Sequence, residues 1–207
     1  MKQRVAAAID EAASVLEEVA RDIEREPELG FKEHKTAAKV ERYLTALGLT
    51  PETGLALTGV KARAQGGRPG PTVAILSELD AVGTPDSPKA DPLTGAAHTC
   101  GHFLQMTTML AAATGLMEAG ILPELCGDVV FFAVPAEEYV EIEYRRRLLE
   151  EGKLHYLCGK DELIYEGHFD DIDMAMMMHS QGNMPQKAVA IGQSSNGFLV
   201  KLVRYVG

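Results

Sequence analysis

Along the first segment, apolar residues recur at spacings that alternate between four and three. Val5, Ile9, Ala12, Leu16, Val19 and Ile23 make one stripe with charges opposite, the period of an amphipathic helix. Pro27 ends it. Ala37, Val40, Leu44 and Leu47 repeat the pattern over 36–47, and Gly48 is its stop. The pattern then turns strand-like over 55–64, up to Gly66-Gly67, and over the short apolar run 72–76 (TVAIL). Residues 83–97, rich in Pro, Gly and Asp, predict a long loop, and 104–119 a helix. The run 128–134 (DVVFFAV) is strongly β-prone and predicts a buried strand, ended by Pro135. Residues 141–167 are charged and predict two helical pieces. The run 173–178 (DMAMMM) predicts another buried strand, and strand-like runs follow at 188–191 and 198–206. Strands alternating with helices imply an α/β fold with a mixed, largely parallel sheet flanked by helices. The last run ends at Gly207 with nothing after it to pair with, so its partner strand is expected to be missing.

Composition narrows the classes. The 207 residues are 46% hydrophobic and 24% charged, which suits one large domain, or one domain and part of a second. A net charge of -10 repels phosphate backbones and argues against a nucleic-acid partner. No apolar stretch approaches the roughly 20 residues that span a bilayer, so no membrane partner is expected. Asp10, Glu11, Glu17 and Glu18 interrupt what would be the apolar part of a signal peptide, so the expected location is cytoplasmic. The three cysteines, Cys100, Cys126 and Cys158, are too few for a disulfide framework. Cys126 and Cys158 read as buried small hydrophobes.

Three clusters could carry chemistry, and each lies just after a predicted strand or in the loop that follows one, on the side where open α/β sheets bind ligands. The first is His98-Thr99-Cys100-Gly101-His102. Thiolate and imidazole suit zinc-like metals, but Cys100 and His102 converge only on an extended or turning chain, which Gly101 permits. A buried cysteine beside a helix-capping histidine explains the same segment. The second is Glu137-Glu138, after DVVFFAV. Adjacent carboxylates at a buried strand end are costly without compensation. In extended chain they diverge, so one can ligate a metal while the other faces a water. A solvated loop start is the competing reading. The third is His179, after the Met-rich run, which could equally be a plain structural histidine. Glu78 and Asp80 flank Leu79 and could buttress a ligand. His34, His155 and His168 read as exposed, and Arg145-Arg146-Arg147 as a solvated helix face.

In combination, the segments resemble the M20 metallopeptidases, in the amidohydrolase branch that includes aminoacylases, hippurate hydrolases and aminobenzoyl-glutamate hydrolases. The matching pieces come in the family's order: Glu26-Pro27-Glu28-Leu29-Gly30-Phe31, Leu79-Asp80-Ala81, His98 to His102, Val134-Pro135-Ala136-Glu137-Glu138, and His179. The resemblance implies a zinc-peptidase-like catalytic domain and a site with two divalent metal ions, zinc first, with manganese, cobalt or nickel also suitable. It implies Cys100, His102, Glu138 and His179 as metal ligands and Glu137 as general base. The implied reaction is hydrolysis of an amide in an N-acyl amino acid or related small molecule, and the family often forms homodimers. Where many relatives carry Asp and His after Cys-Gly-His, this chain has Phe103 and Gln105, and Gln105 is expected on the substrate side or behind the ligands. The family also supplies one more ligand histidine near its C-terminus. The expectation is therefore the N-terminal part of a catalytic domain over 1–194 and the first strand of a lid or dimerisation domain over 195–207, with little or no activity alone. The competing readings are a non-catalytic binding module and a thiol enzyme built on Cys100.

Overall fold

The computed structural model describes residues 1–180. In chain order the elements are helices α1 (Lys2–Glu11), α2 (Ala13–Arg25) and α3 (His34–Ala46), then strands β1 (Glu52–Leu55), β2 (Gly59–Ala64), β3 (Val73–Glu78), β4 (Val82–Gly83) and β5 (Ala96–Ala97). Helix α4 (His102–Glu118), strand β6 (Val129–Val134), helices α5 (Ile142–Glu150) and α6 (Gly159–Tyr165), and strand β7 (Met174–Met177) follow. The main sheet has the order β1-β2-β6-β3-β7. β6-β3-β7 pair in parallel, and β1-β2-β6 antiparallel. This is the expected mixed α/β sheet flanked by helices.

β6 explains the layering. Along VVFFAV, side chains alternate between the two faces. Phe131 and Ala133 enter a cluster with Leu16 and Ile23 of α2, Val40 and Leu44 of α3, and Met109 and Leu110 of α4. Val130, Phe132 and Val134 enter a second cluster with Ala74 and Leu163. Both faces are covered, so the strand is apolar throughout. Full burial of each phenylalanine stabilises the fold by roughly 1.5–3 kcal/mol.

Several expectations need correction. The single stripe over 5–23 is two helices that meet at Ala12. The run 55–64 is a hairpin, turned at Ala56 and Leu57 with φ of 43° and 78°. Buried Ala56 gives its N–H to Glu166 Oε2 at 3.1 Å, so a distant carboxylate holds a turn that local sequence does not signal. The 83–97 loop carries the small β4-β5 ladder. β7, expected to be buried, has Met174, Met176 and Met177 between 43% and 53% exposed. Among the described residues it pairs only with β3, at the sheet edge. Cys126 is exposed, whereas Cys158 is buried. The expected strands at 188–191 and 198–206, and the domain boundary at 194/195, lie outside the described residues. Among the described residues no helix is long and apolar enough to cross a membrane.

Candidate metal centre

The parallel strands bring the candidates to one end of the sheet. β3 delivers Glu78 and Asp80, β6 delivers Glu137 and Glu138, and β7 leads into His179. Between Cys100 and His102 the chain turns through Gly101, whose φ is 93°, and α4 begins directly at His102. A left-handed residue there favours glycine, and it keeps Cys100 off the helix.

His102 is 1% exposed. Its Nδ1 donates to the Asp80 carbonyl oxygen at 2.8 Å, with Asp80 Oδ1 at 3.3 Å. Its Nε2 lies 3.1 Å from Glu78 Oε2 and 4.0 Å from Glu138 Oε1, yet makes no well-aligned hydrogen bond among the described residues. His179 donates from Nδ1 to the Ser180 carbonyl oxygen at 2.7 Å and turns Nε2 to Cys100 Sγ at 3.4 Å. The donor atoms of Cys100, His102 and His179 lie within 4.8 Å of one another, and so do those of Glu78, His102 and Glu137.

The electrostatics fit a cation. Burial opposes a charge on His102, but Asp80 and Glu78 outweigh it and push its pKa up to about 11. Burial and a hydrogen bond to Glu138 push the Cys100 thiol up to about 11. Burial, then the charge of Glu78, raises Glu137. A buried, orphaned imidazole nitrogen beside a thiol, a second imidazole and carboxylates is the donor set of a zinc-type site. Histidines anchored through Nδ1 to carbonyl oxygens are the usual support of such ligands.

The surroundings place the other candidates. Gln105 is 3% exposed, and its Oε1 accepts the Glu78 N–H at 2.7 Å, so it holds the end of β3 behind the cluster. Asp80 accepts the Glu138 N–H through Oδ2 at 2.9 Å. His98 is buried against Phe103, and burial followed by the charge of His102 lowers its pKa to about 4. His34 and His155 are exposed and His168 is partly so.

Three neighbours were not legible as site residues. Lys160, on the first turn of α6, pairs with Glu78 Oε1. Burial would raise the Glu78 carboxyl, but His102 and Lys160 bring it down to about 2. Glu33 is fully buried and accepts the Ala136 N–H at 2.8 Å. Arg145, expected on a solvated face, is 0% exposed. Its helical spacing of three from buried Leu148 is the one signal that could have turned it inward.

No family model matches the chain. YhaA of Bacillus subtilis, which bears the name of an amidohydrolase, is 34% identical over 193 residues, covering 89% of this chain and 44% of the relative. The N-acetylcysteine deacetylase of Bacillus subtilis is 32% identical over 142 residues, covering 65% of this chain and 36% of the relative. Among solved structures, the YxeP protein of Bacillus subtilis, described as a dinuclear metal binding peptidase of the M20 family, superposes with a TM-score of 0.67 at 26% identity. That superposition covers 83% of this chain and 44% of YxeP. The chain thus spans less than half the length of these relatives. It matches their N-terminal portion in both sequence and fold, and it belongs to the M20 family of amidohydrolases and peptidases.

Proposed function

We propose that these residues are the metal-binding part of an amidohydrolase that cleaves an N-acyl amino acid or a related small amide. The observation that carries the proposal is the convergence of Cys100 Sγ and the Nε2 atoms of His102 and His179, with Glu78 and Glu137 grouped on His102. Cys100, His102, Glu138 and His179 would hold two divalent ions, with zinc the best match to thiolate, imidazole and carboxylate and manganese, cobalt or nickel also suited. Such ions supply Lewis acidity, which polarises the amide carbonyl and acidifies water.

The chain's own groups do the rest. Glu137 takes a proton from the attacking water as the C–O bond forms. It then returns that proton to the amine nitrogen as the C–N bond breaks, leaving a carboxylate and an amine. Its raised pKa makes it a stronger base than an exposed glutamate. Asp80 holds the His102 Nδ1–H, so Nε2 is the nitrogen that would give up its proton and face the ion.

The test combines metal content with amine release from N-acyl amino acids. Glu137→Gln should bind metal as the parent does and abolish whatever release is seen. A variant that keeps full release would remove Glu137 from the reaction.

A further inference from the structure

Glu137 and Glu138 follow Ala136, which has a φ of 53°, a left-handed conformation that disfavours alanine. The flanking backbone groups show what holds it there. The Ala136 N–H donates to Glu33 Oε1 at 2.8 Å, and the Glu138 N–H to Asp80 Oδ2 at 2.9 Å. Arg145 takes the two carbonyls: Nη1 donates to Ala136 O at 3.2 Å, and Nη2 donates to Glu138 O. Nη1 also donates to Leu157 O at 2.7 Å. The N–H and C=O groups on both sides of Glu137 are therefore all gripped by ionisable side chains.

A fully buried guanidinium spent on carbonyls is costly to desolvate. A leucine or methionine at this position of α5 would pack beside Phe31 and Leu148 without that cost. What an arginine adds is a rigid planar fork that reaches three carbonyls at once, two of them in the turn. The neighbourhood is shaped around it. A Cβ at Gly30 would stand 2.4 Å from Arg145 Nη2 and 2.9 Å from Ala136 Cα, and the Phe31 ring lies 5.3 Å from the guanidinium carbon. Gly30-Phe31 thus serves as the socket for Arg145.

We infer that Arg145 is the positioning residue for the Glu137-Glu138 turn, fixing the backbone from which the two carboxylates diverge. It touches no reacting atom. The inference rests on the reading of Glu137 as base and Glu138 as ligand only for its functional consequence.

The test uses the 207-residue chain with Arg145→Lys, which keeps the charge and loses the fork, and Gly30→Ala, which crowds the socket. Amide hydrogen exchange is read residue by residue, without metal. The expected result is exchange at Ala136 and Glu138 faster by about tenfold or more, with Val129–Val134 unchanged. Cobalt(II) affinity should fall about 10–100-fold, as when other supports of metal ligands are removed. Unchanged exchange at the turn, or a uniform increase across β6, would overturn the inference and leave Arg145 a general stabiliser. Absence of cobalt binding in the parent chain would defeat the metal reading, while the exchange result would still decide the role of Arg145.

Discussion

The imidazoles of His102 and His179 stand edge to face, with 5.6 Å between centroids and 88° between planes. Each spends its Nδ1–H on a main-chain carbonyl, of Asp80 and Ser180 respectively. Both Nε2 atoms are left over the same space as Cys100 Sγ. Without a cation there, His102 carries the balancing charge and Cys100 keeps its proton.

Metal binding should therefore release protons. Both Cys100 and His102 titrate near 11 in the free site, so both are protonated throughout pH 6–9. Binding of an ion should displace about two protons, and apparent affinity should rise up to about 100-fold per pH unit in that range. Calorimetry in buffers of different ionisation enthalpy measures the number directly. Release of no protons would mean that neither group is a ligand.

Glu33 should make stability fall with rising pH. Burial, then the charge of Asp80, raises its carboxyl from 4.5 to about 7. A raised carboxyl favours the protonated fold, so its contribution is present below pH 4.5 and is lost as pH rises through 7. Glu33→Gln removes that dependence and can still accept from Ala136 and donate to Thr58. Relative to the parent, it should gain roughly 3 kcal/mol between pH 4 and pH 8. Denaturation midpoints at the two pH values check this, and parallel profiles would refute it.

Lys160→Met should destabilise the protein by about 3 kcal/mol. It strips Glu78, 2% exposed, of the ammonium on Oε1 and leaves His102 as its remaining charged partner. Adding Glu78→Gln should restore most of the loss. Thermal melts of the two single variants and the double variant give the coupling, and additive losses would show that the pair contributes little.

The parts of the fold legible in sequence are those whose pattern is local. α3 follows from helical spacing, and β6 from a β-prone run bounded by Pro135. The Ala56-Leu57 turn was not legible, because Glu166 holds it from more than a hundred residues away. The exposure of β7 depends on its place in the strand order, which its own methionines do not encode. In the site, Cys100, His102, Glu137, Glu138 and His179 stood out as candidates by their residue types and their places after strands, and only the resemblance to the M20 family gave them roles. Glu33, Arg145 and Lys160 sit in charged stretches, where a solvated side chain is the ordinary reading, and only tertiary packing turns them inward.

The most direct measurement is a cobalt(II) titration of the chain, followed by absorption spectroscopy, with Cys100→Ala alongside. The account predicts a thiolate-to-cobalt charge-transfer band that saturates with added ion and vanishes in Cys100→Ala. No band in the parent chain, or a band that survives the loss of Cys100, would contradict the assignment of this cluster as a metal centre.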